Sequence, residues 1–96
     1  MSKDKKEEEI VKYSNPEFVF NKFKQSYNGD IKLSTRKDKK YMAFLKGKWV
    51  HFGQMGYPDY TKTLDDKKRS LFRSRNRKWE EADKYSPAFL SFNLLW

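Results

Sequence analysis

A change of hydrophobic period near the middle of the chain is what most limits its fold. From Asp30 onward apolar and polar residues alternate, Ile31 and Leu33 against Asp30 and Lys32, and the run Lys40-Tyr41-Met42-Ala43-Phe44-Leu45 has the composition of a strand. Lys46-Gly47 reads as a tight turn, because glycine tolerates the positive φ that such turns need. Trp49-Val50-His51-Phe52 is the returning strand and Gly53 ends it, which predicts a β-hairpin over about 39–53. A two-stranded hairpin is marginal by itself, so helices or a further strand must cover it.

Helix signals flank the hairpin. Ser14-Asn15-Pro16-Glu17 combines capping residues with a proline suited to a first helical position, and Phe20, Phe23 and Tyr27 follow at helical spacing. Asn28-Gly29 supplies the stop, giving an N-terminal helix at about 16–27. Ser86-Pro87 opens a short C-terminal helix at about 87–95, whose apolar residues either close the core or form an exposed end for assembly. Residues 1–12 are rich in charge and read as a flexible tail, leaving 13–96 as one compact α+β domain. Eight Phe, six Tyr and three Trp supply the apolar surface that aliphatic residues lack in a chain of 96. Zero cysteines exclude disulfides and thiolate metal sites. The longest apolar-rich run, 87–96, falls well short of the ~20 residues of a membrane span.

Between hairpin and C-terminus lies the strongest charge feature. Lys62 to Lys78 holds eight bases and two acids, a local charge of +6 within a chain of net charge +9. The pattern predicts a basic amphipathic helix over about 64–81, capped by Thr63, with Asp65 and Asp66 in the first turn. On a helical wheel Leu64, Leu71, Phe72 and Trp79 share a core-facing side, while Arg69, Arg73 and Arg77 form a ridge opposite. Arg75 falls among the apolar positions and must snorkel or pair with an acid such as Asp59, Asp65 or Glu80.

The string HFGQMGYPDYTKTLDDKKRSLFRSRNRK, followed by SPAFLSFNLLW, resembles a small family of uncharacterised basic proteins of giant viruses, the nucleocytoplasmic large DNA viruses. There a His-Phe-Gly, a Gly-Tyr-x-Asp-Tyr-Thr, an Arg-rich helix and a Leu-Leu-Trp end recur in this order. The resemblance spans about residues 39–96 and brings no assigned activity. It implies a setting in the virion or the interior of an infected host cell, cytoplasm or nucleus, rather than secretion.

His51 is the only histidine, and no phosphate loop or metal-binding helix motif accompanies it, so it reads as a structural residue bonded to a loop backbone group rather than a general base. Asp59, Asp65 and Asp66 hold the oxygen chemistry for a divalent cation, but two of them serve better as first-turn helix acids. The reading is therefore no enzyme, no metal, no cofactor and no small-molecule substrate. Concentrated positive charge is the footprint of a polyanion binder, since each base that neutralises a phosphate releases condensed counterions. The expected partner is nucleic acid, DNA ahead of RNA, held without strong sequence specificity by Arg69, Arg73, Arg77, Lys67, Lys68 and Lys78, with Arg36, Lys37, Lys39 and Lys40 widening the surface. The alternative is a virion structural protein, a minor capsid or core component that binds other viral proteins through its basic face and aromatic C-terminus. Charge that serves only solvation is the third reading.

Overall fold

The computed structural model describes residues 2–96, with side chains from residue 5 onward. Its elements are α1 (Ser2–Ile10), α2 (Pro16–Ser26), β1 (Ile31–Leu33), β2 (Lys39–Leu45), β3 (Lys48–Gln54), the one-turn α3 (Tyr60–Thr63), α4 (Asp66–Arg75), a 3-10 turn (Arg77–Glu81), and α5 (Pro87–Leu90), which runs on into a π-helical turn (Ser91–Leu95). The α+β class expected from the sequence is the class observed.

The hairpin forms because Lys46 and Gly47 both take positive φ, 50° and 79°, the geometry of a two-residue turn whose twist suits the flanking strands. β1 adds on the other side of β2, giving an antiparallel order β1-β2-β3, with Ile31 opposite Ala43 and Ala43 opposite Val50. Tyr41, Ala43, Leu45, Val50 and Phe52 lie on one side of this sheet and bury against Val19 and Phe23 of α2 and Leu90, Leu94 and Leu95 of the C-terminal helix. At the end of β3, Gly53 has φ +84°, and an added Cβ would lie 2.9 Å from Leu95 Cδ1 and 3.1 Å from Lys40 Cβ. A side chain there would crowd Leu95 and Lys40 and would have to adopt a φ that L-residues rarely take.

α2 is capped as expected, with Asn15 Oδ1 accepting from Phe18 N at 3.2 Å and Pro16 in the first turn. The C-terminal segment closes the core: Leu90, Phe92, Leu94 and Leu95 are buried, so the apolar end is core and not an exposed assembly surface.

Two parts differ from the sequence reading. Residues expected to be a flexible tail are helical from Ser2 to Ile10. Lys and Glu are good helix formers, Ile10 is fully buried in the core, and Lys6 Nζ donates to the main-chain oxygens of Arg36 and Lys39 at 2.7 Å each. The compact unit therefore reaches back to Ile10.

The single basic helix predicted over 64–81 is broken into two pieces, α4 and the 3-10 turn, and a separate turn, α3, precedes them. Asp59 caps α3 and Asp65 caps α4, each through a side-chain oxygen that accepts a main-chain N–H of the turn it starts. Two caps six residues apart leave room for one turn between them, and Leu64 makes the break in the left-handed region, at φ 54°. The Thr63 hydroxyl oxygen accepts the Asp65 amide, at 3.2 Å, and caps no helix. Asn76 ends α4, its side-chain Nδ2 donating to Phe72 O at 3.0 Å.

Candidate nucleic-acid interface

With Leu64 outside α4, that helix keeps only Leu71 and Phe72 as apolar residues, too few to set its orientation by burial. Leu64 and Leu71 are exposed, and α4 has no buried residue at all. What faces inward is the stripe Arg69, Phe72, Arg73 and Asn76, all half-buried and spaced i, i+3, i+4, i+7. Phe72 stacks on Trp96, rings 4.2 Å apart and 8° from parallel, and meets half-buried Trp79 edge-on at 5.8 Å. Arg69 lies over the Tyr60 ring at 5.1 Å and its Nε donates to the main-chain oxygen of Trp96 at 2.6 Å. Arg73 lies over Phe92 at 4.1 Å and its Nη1 donates to Phe92 O at 3.2 Å. The predicted outward ridge of Arg69, Arg73 and Arg77 is thus two inward arginines and one outward. Arginine sits well there because its planar guanidinium stacks on rings while bonding oxygens in its own plane.

The side of α4 that does face solvent carries Lys67, Lys68 and Arg75, and the turn beyond it adds Arg77 and Lys78. Arg75, expected to snorkel or to pair with an acid, is exposed and makes no ion pair among the described residues. Lys22 of α2 is a neighbour that sequence reasoning missed: burial first, and then Arg69 and Arg73, hold its ammonium below the usual lysine range. These three cations come from segments more than 40 residues apart, and no local pattern announces such a meeting.

Of the hairpin bases, Arg36 and Lys37 are exposed and Lys39 is half-buried. Lys40 is not part of any surface. It is 2% exposed and its Nζ lies 2.9 Å from Asp59 Oδ2, itself 1% exposed. The same ammonium donates to Tyr57 O at 2.6 Å and to Tyr13 O at 3.4 Å, so its three protons are all used. Burial pulls its pKa down, and Asp59 opposes that.

Asp59 also anchors a chain of buried hydroxyls. Its Oδ1 accepts from both the amide and the hydroxyl of Thr61. Thr61 Oγ1 accepts from the Asn15 amide at 2.9 Å and lies 3.1 Å from Ser14 Oγ, which lies 2.6 Å from Tyr41 OH. Since Thr61 gives its proton to the carboxylate, proton counting runs the chain one way: Tyr41 donates to Ser14, Ser14 to Thr61, Thr61 to Asp59. Burial pushes the Tyr41 phenol pKa up, which keeps that proton in place. The network ties the α1–α2 connection, β2 and the loop before α3 into one body, and it takes Asp59 out of contention as a cation ligand.

His51 is bonded to a side chain rather than to the loop backbone expected. Its Nδ1 lies 2.6 Å from Ser34 Oγ, and Ser34 Oγ also accepts the Arg36 amide at 3.0 Å. The hydroxyl proton is therefore available to Nδ1, which assigns the remaining ring proton to Nε2. Ser34 is 4% exposed, and its oxygen is engaged on both sides, so the pair holds the β1–β2 loop rather than presenting a nucleophile. Desolvation, then the positive charges of Arg36, Lys39 and Lys6, outweigh Asp38 and press the imidazole pKa below its usual value. A histidine kept neutral in this way contributes stability that is complete above about pH 6.5, the ordinary histidine value, and lost as pH falls from there toward the lower folded pKa. Thermal melts across pH 7.5 to 5 should show this loss in the wild type and less of it in His51→Gln; superimposable profiles would refute it.

The geometry defines a small α+β domain on which two exposed sets of bases gather, one on the outer side of α4 with its following turn and one at the β1–β2 loop. The family described as "Family of unknown function (DUF5754)" matches residues 29–76, half of the chain, and the protein belongs to it. The match runs from the start of the sheet to the end of α4 and so takes in Lys40, Asp59 and Thr61. No curated protein and no solved structure matches the chain.

Proposed function

We propose that the protein is a small non-enzymatic nucleic-acid binder that grips phosphates without strong sequence specificity, DNA ahead of RNA. The observation that carries this reading is the imbalance of charge. The chain has 22 bases to 13 acids, yet among the described residues a single ion pair forms, Lys40 with Asp59, and it is buried. Most of the remaining positive charge faces solvent, where a polyanion gains most from it. The phosphate-binding groups are Lys67, Lys68, Arg77 and Lys78, with Arg75, Arg36, Lys37 and Lys39 beside them. Arg69 and Arg73 support the helix from beneath and add to the local potential.

The virion or infected-cell interior as its setting rests on the giant-virus resemblance of 39–96. The alternative of a virion structural protein anchored by an aromatic C-terminus is disfavoured because Phe92, Leu94 and Leu95 are buried in this chain's own core. Random-sequence duplex DNA should bind in an electrophoretic or anisotropy assay at about 50 mM salt, where phosphate-driven binding is strong. No binding there would sink the reading.

A further inference from the structure

The side of the sheet turned away from the core has a composition of its own. Residues at alternate positions share a face, and here the partners are Lys32 opposite Met42, Met42 opposite His51, and Phe44 opposite Trp49. Met42 is buried at the centre of this face. Phe44 and Trp49 stand beside it, 40% and 38% exposed, their ring centroids 5.2 Å apart. Lys32 Nζ lies 4.8 Å from the centroid of the Trp49 ring. Single exposed apolar residues are ordinary on protein surfaces. Two aromatic rings packed against each other on an open sheet, with an ammonium against one of them, are a different matter.

The rim of the face is also basic. Arg36, Lys39 and Lys6 act on His51 across it, opposed there by Asp38, and Glu9 lies near Lys6. An apolar protein partner would bury this collar of cations without compensation. A chain that brings flat π-faces and a phosphate with each of them satisfies both halves of the surface, which is how sheets bind unpaired nucleic-acid strands. We infer that the open face of the sheet is a stacking platform for unpaired bases, with single-stranded nucleic acid as its occupant. Bases stack on Trp49 and Phe44 while Lys32 and Arg36 take the neighbouring phosphates. The inference rests on the phosphate-binding reading above and adds to it a surface on which bases, not only backbone, are held.

The test compares four labelled probes on the full chain at one salt concentration: a single-stranded oligo-dT, an oligo-rU of the same length, a duplex of that length, and an abasic deoxyribose-phosphate oligomer. Trp49→Ala should weaken oligo-dT binding by about 5- to 150-fold, the range for losing one stacked base, and leave duplex and abasic binding unchanged. A parallel loss on oligo-rU extends the occupant to RNA, while a loss on oligo-dT alone confines it to DNA; either supports the platform. Should Trp49→Ala lower the melting temperature, Trp49→Leu and Phe44→Leu keep apolar cover over Met42 and carry the same readout. Unchanged oligo-dT affinity in a folded variant overturns the inference, as does an equal loss on the abasic probe. So does a Trp49-dependent dimer with unaltered nucleic-acid affinity. If the duplex binds and oligo-dT does not, the platform fails and the phosphate reading stands; if no probe binds, both fail.

Discussion

Asp59→Ala is expected to cost about 3–5 kcal/mol of folding stability, the range for removing one partner of a buried ion pair, as measured by urea denaturation. The substitution leaves the Lys40 ammonium enclosed with two carbonyl acceptors and no counter-charge, and it strips Thr61 of the oxygen that accepts both its amide and its hydroxyl. Folded domains have a margin of only about 5–15 kcal/mol, so a 96-residue chain should lose much or all of its cooperative transition. A double-mutant cycle with Lys40→Met isolates the pair: together the two changes should cost clearly less than their sum. A loss under about 1 kcal/mol for Asp59→Ala would mean that the pair and its hydroxyl chain do not hold the connection, β2 and loop together.

The second large effect separates the two sides of α4. Replacing Lys67, Lys68, Arg77 and Lys78 by Gln should weaken duplex DNA binding for every sequence tested and make the salt dependence shallower by up to about 3.6, at about 0.9 for each phosphate no longer neutralised. The melting temperature should hardly move, because all four side chains are exposed. Replacing Arg69 and Arg73 by Gln should do the reverse. Each removes a charged donor from a main-chain oxygen and a cation from an aromatic face, interactions worth about 1–2 kcal/mol at half-buried sites, so stability falls first. Had the arginines formed an outward ridge, the inner pair would have acted on affinity and left stability alone.

That contrast shows what the sequence carried and what it did not. The hairpin was legible because Lys46-Gly47 interrupts two strand-like runs, and α2 and α5 because Asn15-Pro16 and Ser86-Pro87 are local start signals that work through their own backbone neighbours. α4 misled because Leu64 looks like the first apolar residue of a helix, while the residue that decides is Asp65, whose cap forces a left-handed break just before it. Once Leu64 leaves the helix, the wheel has no aliphatic side left, and the stacking of Phe72 on Trp96 turns the arginines inward. Lys40 sits in a run of bases indistinguishable from Lys37 or Lys39 until its partner, 19 residues on, is brought to 2.9 Å. Long-range pairing of this kind has no local signature, and the same holds for Lys22 beside Arg69 and Arg73. The first helix shows the limit in the other direction, since the burial of Ile10 and two main-chain bonds from Lys6 dock a segment whose composition is almost all charge.

Everything functional here turns on whether the solvent-facing bases of this fold bind nucleic acid through its phosphates. The affinity of the unaltered chain for random-sequence duplex DNA, followed between about 50 and 200 mM salt, decides it. Log affinity should fall linearly with log salt, with a slope of about −3.6 or steeper, as four or more neutralised phosphates require. A flat dependence, or no binding at the low-salt end, would contradict phosphate binding by these bases.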